Sequence, residues 1–283
     1  MAVEAASLSG ISVTNSYAPV ALPRRRTQAN RIAAIALTRD IAPRVHRLGN
    51  WFVNWYLVED GGRLTAVDAG LPRFKGSLES DLAALGFGLG DLEAVILTHS
   101  DGDHTGLATA LHDSGARVLI SAADEPTLRK PGPKPGDASP IHIVPDLWRP
   151  TLWRVIATMV ADGGMKLAKV EGAETFSAGD VLDVPGRPRA VATPGHTPGH
   201  CVFHFEEHGA LFLGDAMCSF NVVTGSRGPQ LMPHAMSESN AQALKSLDAI
   251  EPIDAEVMLF GHGEPWRAGV GSAVELARVA ASS

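Results

Sequence analysis

Between Thr98 and Gly106 the chain reads Thr-His-Ser-Asp-Gly-Asp-His-Thr-Gly, which puts His99, Asp101, Asp103 and His104 within six positions. The stretch follows directly on Ala94-Val95-Ile96-Leu97. An apolar run of that length predicts a buried strand, with the polar loop at its carboxyl end. Imidazole and carboxylate are the donors of zinc, iron and manganese sites, and packing alone gives no reason to crowd four of them into one loop.

The same style recurs downstream. Ala192-Thr193-Pro194-Gly195-His196-Thr197-Pro198-Gly199-His200 sets a histidine in a tight Pro/Gly turn after a predicted strand. Leu211-Phe212-Leu213-Gly214-Asp215 is an apolar run ending in glycine and one carboxylate, and Leu259-Phe260-Gly261-His262 ends in glycine and one histidine. Each places a metal-capable side chain just past a strand end, where neighbouring strands of one sheet edge can gather them.

Around these motifs, Phe52–Glu59 and Arg63–Asp68 predict two strands turned by Asp60-Gly61-Gly62. Gly76–Leu85 has helical spacing and stops at Gly86. A helix over about Thr105–Asp113 and a strand over Val118–Ser121 follow. The second half predicts strands at Val181–Val184, Arg189–Thr193, Cys201–Phe205, Ala210–Leu213 and Val257–Phe260, with helices over about Glu238–Ile250 and from Ser272. Short strands in series with helices after the polar loops predict an α/β chain of two packed sheets with helices outside. The organisation expected is an extension over 1–44, rich in Ala, Ser and Pro, and one domain over 45–283. That domain carries a helical insert at about 126–175. There Pro145–Lys169 bears Trp148, Leu152, Trp153, Ile156, Met159 and Val160 at amphipathic spacing. The insert is either core or a lid.

A net charge of -7 and a lone basic run, Arg24-Arg25-Arg26, argue against a nucleic-acid partner. Ile32–Leu37 is far too short for a membrane span, and no signal-peptide pattern precedes it. Two cysteines, Cys201 and Cys218, make no disulfide framework, so reduced thiols in the cytoplasm are expected. The oligomeric state is not legible.

Taken together, the box at 99–104, His196, Asp215, His262 and Val67-Asp68-Ala69-Gly70 resemble the metallo-β-lactamase fold superfamily over about residues 45–268. The resemblance implies a four-layer αββα sandwich with a binuclear metal site at one edge of the sheets. It implies that His99, residue 101 and His196 hold one ion, that Asp103, His104 and His262 hold the other, and that Asp215 bridges both. The ions expected are two divalent metals, zinc first, with iron or manganese as alternatives. The Thr-Pro-Gly-His-Thr-Pro-Gly-His style is similar to the glyoxalase II and acyl-homoserine lactonase branches. What the resemblance implies is hydrolysis of a small ester, lactone or thioester by a metal-bridging hydroxide, with Asp103 also handling the proton.

The chain departs from the commonest pattern at Asp101, where a histidine is usual. Two divalent ions bring four positive charges, which Asp101, Asp103, Asp215 and a bridging hydroxide neutralise. Lower net charge makes bound water less acidic than the pKa of about 7 typical of catalytic zinc, and the extra carboxylate favours harder ions. Glutamate holds this position in the flavodiiron branch, so a non-haem diiron redox protein is an alternative. Others are a β-lactam-hydrolysing member and a binding protein depleted of metal. Asp68 and His200 are candidate hydrogen-bond partners of the ligands, His200 as a donor. Trp148 and Trp153 are candidate walls for a substrate with an apolar portion. Tyr56 is expected in the core and Cys218 as an inert buried thiol, and His234 is the remaining histidine with a possible pocket contact.

Overall fold

The computed structural model describes residues 37–132 and 136–282. The Arg24–Arg26 run and most of the expected N-terminal extension lie outside the described residues. The first sheet contains seven strands in chain order: β1 (Thr38–Ala42), β2 (Val45–Gly49), β3 (Asn54–Asp60), β4 (Arg63–Val67), β5 (Leu92–Ile96), β6 (Arg117–Ser121) and β7 (Glu174–Phe176). It is antiparallel from β1 to β4 and parallel from β4 to β7. The second sheet has four, β8 (Arg189–Ala192), β9 (Cys201–Phe205), β10 (Ala210–Gly214) and β13 (Val257–Phe260), in the order β13-β10-β9-β8. Between β10 and β13 the chain forms a hairpin of β11 (Cys218–Phe220) and β12 (Arg227–Gln230). The helices are α1 (Lys75–Leu85), α2 (Gly102–Thr105), α3 (Ala108–Asp113), α4 (Glu125–Arg129), α5 (Pro150–Ala161), α6 (Asn240–Ile250) and α7 (Val270–Ala281).

Alternation along the strands makes the layers. Successive side chains point to opposite faces, and Leu57 and Val58 of β3, like Val95 and Ile96 of β5, are all buried. A strand buried on both faces needs cover on both. Val58 and Ile96 meet Phe203, Phe205, Phe212 and Leu259 of the second sheet in the central core. Leu57 and Val95 face outward onto Leu78 and Leu82 of α1, Leu111 of α3, and Leu152 and Val155 of α5. Leu211, Leu213 and Phe260 face the other way, onto Leu247 and Ile250 of α6 and Val274 and Ala277 of α7. The result is the four-layer αββα sandwich expected. The β3–β4 hairpin turns on Gly61 and Gly62, both at positive φ (57° and 75°), where a two-residue loop suits the strand twist.

Several elements differ from the sequence expectations. Sheet structure begins at Thr38, seven residues before the expected domain start. No strand covers Val181–Val184. Pro185 and Gly186 break that run, and Val181 alone pairs, with Arg189. The helix expected over Thr105–Asp113 divides at Gly106, because the Gly106 and Leu107 amides bond Gly70 and Ala69 carbonyls instead of the helix. Within the amphipathic stretch Pro145–Lys169 the α-helix covers Pro150–Ala161, starting on a proline at its first position and ending before Gly163. No helix among the described residues is long and apolar enough to cross a membrane.

Candidate metal centre

Strand direction gathers the polar residues. β10 and β13 run parallel with Gly214 opposite Phe260, so Asp215 and His262 leave the second sheet side by side. β5 ends at the same edge and delivers Thr98, His99 and then α2, which carries Asp103 and His104. The turn between β8 and β9 brings His196. It is fixed by Asp124, which follows β6 and is buried. The Asp124 carboxylate accepts from the Thr197 hydroxyl and the Gly199 amide, both at 2.7 Å.

All seven candidates converge. Donor atoms of His99, His196 and Asp215 lie within 4.8 Å of one another, and so do those of Asp103, His104 and His262. Asp215 touches both groups: its Oδ1 is 3.3 Å from His104 Nε2, and its Oδ2 is 3.5 Å from His196 Nε2 and 3.4 Å from His262 Nε2. Asp103 Oδ2 is 3.4 Å from His262 Nε2. Asp101 points to the first group, its Oδ2 at 3.0 Å from His196 Nε2 and 3.5 Å from His99 Nε2.

Hydrogen bonds fix which ring nitrogens face this centre. The His104 Nδ1–H donates to Asp68 Oδ2 at 2.8 Å, and the His262 Nδ1–H donates to the Phe52 carbonyl at 2.6 Å. Asp68 also accepts from the Thr98 amide and hydroxyl. With its proton so committed, Thr98 Oγ1 accepts from His99 Nδ1–H at 2.9 Å. Carboxylate and carbonyl oxygens only accept, so in each ring Nδ1 carries a proton and Nε2 is aimed inward. His99 Nε2, His104 Nε2 and Asp215 Oδ1 are buried with no hydrogen-bond partner. Orphaned donor atoms of that kind, all from imidazole or carboxylate, fit divalent ions.

Electrostatics point the same way. Burial would lower the pKa of His104, but the carboxylates of Asp215, Asp68 and Asp103 hold it well above the ordinary value. Burial would raise Asp215, and His262 and His104 hold it well below. Clustered carboxylates create a demand for positive charge at this edge.

Asp68 and His200 each hydrogen-bond one of the converging residues, Asp68 to His104 and His200 to Asp215. His200 corrects its expectation as a donor toward the centre: its Nε2 accepts from the Asp215 amide at 3.1 Å and its Nδ1–H reaches Thr193 Oγ1 at 2.8 Å. Burial, then the His99 and His196 imidazoles, press its pKa well below the usual value, which suits the acceptor role.

A cavity of about 220 Å³ opens over the centre, lined by Asp101, Asp103, His196, Asp215 and His262 together with apolar residues from α5, the β11–β12 region and the β2–β3 loop. Trp148 and Trp153, expected as its walls, are not among the lining residues and stand 73% and 54% exposed. Val155 and Met159 line it instead. Trp153 lies two positions from Val155, about 200° around the helix, so only one of the two can face inward. Tyr56 is in the core, its hydroxyl donating to the Phe260 carbonyl at 2.7 Å. Cys218 is a buried free thiol whose pKa burial pushes up, and His234 lines a different cavity, beside α6. Asp124 and the apolar wall were not singled out in the sequence. Asp124 follows β6 in the same strand-then-carboxylate pattern as Asp215, which is the signal that marks it.

The chain is 26% identical over 230 residues to the probable metallo-hydrolase YqjP of Bacillus subtilis, covering 74% of this chain and 66% of that one. It is 31% identical over 176 residues to a hydroxyacylglutathione hydrolase of Cereibacter sphaeroides, covering 60% of this chain and about half (48%) of the relative. A crystal structure of a metallo-beta-lactamase family protein from Thermus thermophilus superposes with a TM-score of 0.61 at 26% identity, covering 85% of this chain and 80% of the other. The family model of the metallo-beta-lactamase superfamily matches residues 48–262. That span takes in all seven converging residues and the strands that lead to them, and the chain belongs to the metallo-beta-lactamase superfamily.

Proposed function

We propose that this protein is a binuclear metal-dependent hydrolase of a small ester, lactone or thioester. The observation that carries the reading is the pair of donor clusters, both touched by Asp215, at the floor of one cavity, with the His99 and His104 Nε2 atoms buried there without a hydrogen-bond partner. His99, Asp101 and His196 would hold one ion, Asp103, His104 and His262 the other, and Asp215 both. When bound, two divalent ions supply Lewis acidity toward a substrate carbonyl and acidify a water enough for attack near neutral pH.

The rest of the chemistry belongs to the chain. Asp103 sits at the cavity wall with its carboxylate partly exposed, where it can take the nucleophile's proton and return one to the leaving group. Asp68, Thr98, the Phe52 carbonyl and His200 keep the ligands oriented, so little reorganisation accompanies the reaction. Apolar walls flank the reacting centre and give it a partly desolvated surround. The similarity to a hydroxyacylglutathione hydrolase supports thioesters within the substrate range. Two buried free cysteines support the expected cytoplasmic location.

The protein should be reconstituted separately with zinc, manganese and iron, assayed for metal per chain, and screened against esters, lactones, thioesters and β-lactams. Two ions per chain with hydrolysis is the expected result. Asp215→Ala and His262→Ala should lose metal and activity together, and a metal-replete, fully active variant of either kind would refute the assignment. The Asp101 carboxylate supports one other reading: two irons with a visible charge-transfer band and no hydrolysis would identify a redox protein.

A further inference from the structure

Setting aside the polar centre, the cavity wall consists of Phe52, Val155, Met159, Val222, Met232 and Met236. None of these side chains carries a charge or a hydrogen-bond donor. No Lys or Arg lines the cavity among the described residues. Two arginines from the segments that supply this wall face aromatic rings. The Arg154 guanidinium lies 4.0 Å from the Trp51 ring centroid, and that of Arg227 lies 5.5 Å from the Phe220 centroid. The polar side chains that do line the cavity are Asp101, Asp103, His196, Asp215 and His262.

From this wall we infer that the site selects uncharged substrates bearing a short flexible apolar chain, and rejects those with a carboxylate on that chain. The inference rests on the hydrolase reading and adds the substrate's charge and shape. A carboxylate drawn into this cavity would leave water for a wall that offers no counter-charge, a penalty that stays uncompensated. Asp101 deepens the effect: a third carboxylate at the centre offsets cationic charge that would otherwise attract an anion. Three thioether side chains suit a flexible chain, because methionine adapts to irregular apolar shapes. Val155 and Met159, four positions apart on α5, form one continuous ridge for it. The cavity volume of about 220 Å³ corresponds to roughly seven groups the size of a water molecule at about 30 Å³ each. A chain of about six carbons fills it.

The test uses matched esters on the metal-loaded protein: 4-nitrophenyl acetate, 4-nitrophenyl hexanoate, and mono-4-nitrophenyl adipate, whose six-carbon chain ends in a carboxylate. The hexanoate should exceed the acetate in kcat/KM by about tenfold or more, and the adipate monoester by about a hundredfold. Calorimetry with the uncleavable amides, hexanamide and adipic acid monoamide, reads the same preference without turnover, and hexanamide should bind more tightly. Met236→Lys, which adds a cation to the wall, should raise the adipate-to-hexanoate ratio by about tenfold or more. Equal or faster cleavage of the adipate ester, or tighter binding of its amide, overturns the inference while leaving the hydrolase reading intact. Binding in the expected order with no ester, lactone or thioester cleaved overturns the hydrolase reading alone. Failure to bind either amide, with no ester, lactone or thioester cleaved, overturns both.

Discussion

A histidine presents one ring nitrogen to an ion reliably only when its other nitrogen is held, and Asp68 is central to that holding. Its carboxylate takes the His104 Nδ1–H directly and, through Thr98, fixes His99. Asp68 sits at φ 63°, a left-handed conformation that asparagine also tolerates. Asp68→Asn therefore changes the hydrogen bonding with little backbone strain. Metal affinity should fall by about 10–100-fold, measured by competition with a chromophoric chelator, while the circular dichroism spectrum stays that of the parent. Asp101→His tests the charge argument. It should raise zinc affinity and move the acidic limb of the pH–rate profile to lower pH, because one less carboxylate leaves the centre more positive. An unchanged profile would count against charge control by Asp101. The converging residues were legible because each lies in a short polar or Gly-containing segment just past an apolar run, so a local pattern announces it. The cavity wall was not. Phe52, Val155, Val222 and Met236 come from separate segments and look like ordinary core residues in any local window.

At the scale of elements, strand ends deliver the proposed ligands, and glycines set how close those ends come. A β-carbon on Gly261 would lie 2.7 Å from Asp215 Oδ1 and against the His104 ring. One on Gly214, at φ 48°, would press on the Thr98 side chain. Gly214-Asp215 and Gly261-His262 thus place a residue without a side chain beside each ligand so that the clusters can close. Gly261→Ala should lower metal content and activity together and lower the unfolding midpoint as well, since Gly261 is buried and the added methyl meets the Asp215 and His104 side chains. Full metal occupancy in that variant would show the edge to be looser than the distances imply. Strand existence was legible wherever apolar residues ran together, as in β5, β10 and β13. Three-residue strands such as β7 and β11 were not, because their pairing depends on neighbours distant in sequence. Trp148 and Trp153 misled for a related reason: helical spacing finds the apolar stripe but not which part of it turns inward.

At the scale of the whole molecule, the centre lies where the two sheets meet, and its proposed ligands come from both. His99, Asp103 and His104 follow a strand of the first sheet, whereas His196, Asp215 and His262 follow strands of the second. Backbone hydrogen bonds already join the sheets there, from the Cys201 amide to the Thr98 carbonyl and from the Asn54 amide to the Gly261 carbonyl. An ion held by ligands from both sheets would add a further tie, and one that exists only in the folded chain. Binding to the folded state alone stabilises by about 2.7 kcal/mol when the free ion is a hundredfold above its Kd. At about 2–4 °C per kcal/mol for a domain of this size, each such ion raises the unfolding midpoint by roughly 5–11 °C. Stripping the protein with a chelator should lower the midpoint by at least that much, and returning zinc should restore it. The Asp215→Ala variant should unfold at one temperature in either condition. A parent protein indifferent to the chelator, after metal analysis has confirmed that the ions were removed, would mean that they bind at a preformed edge without holding the sheets together.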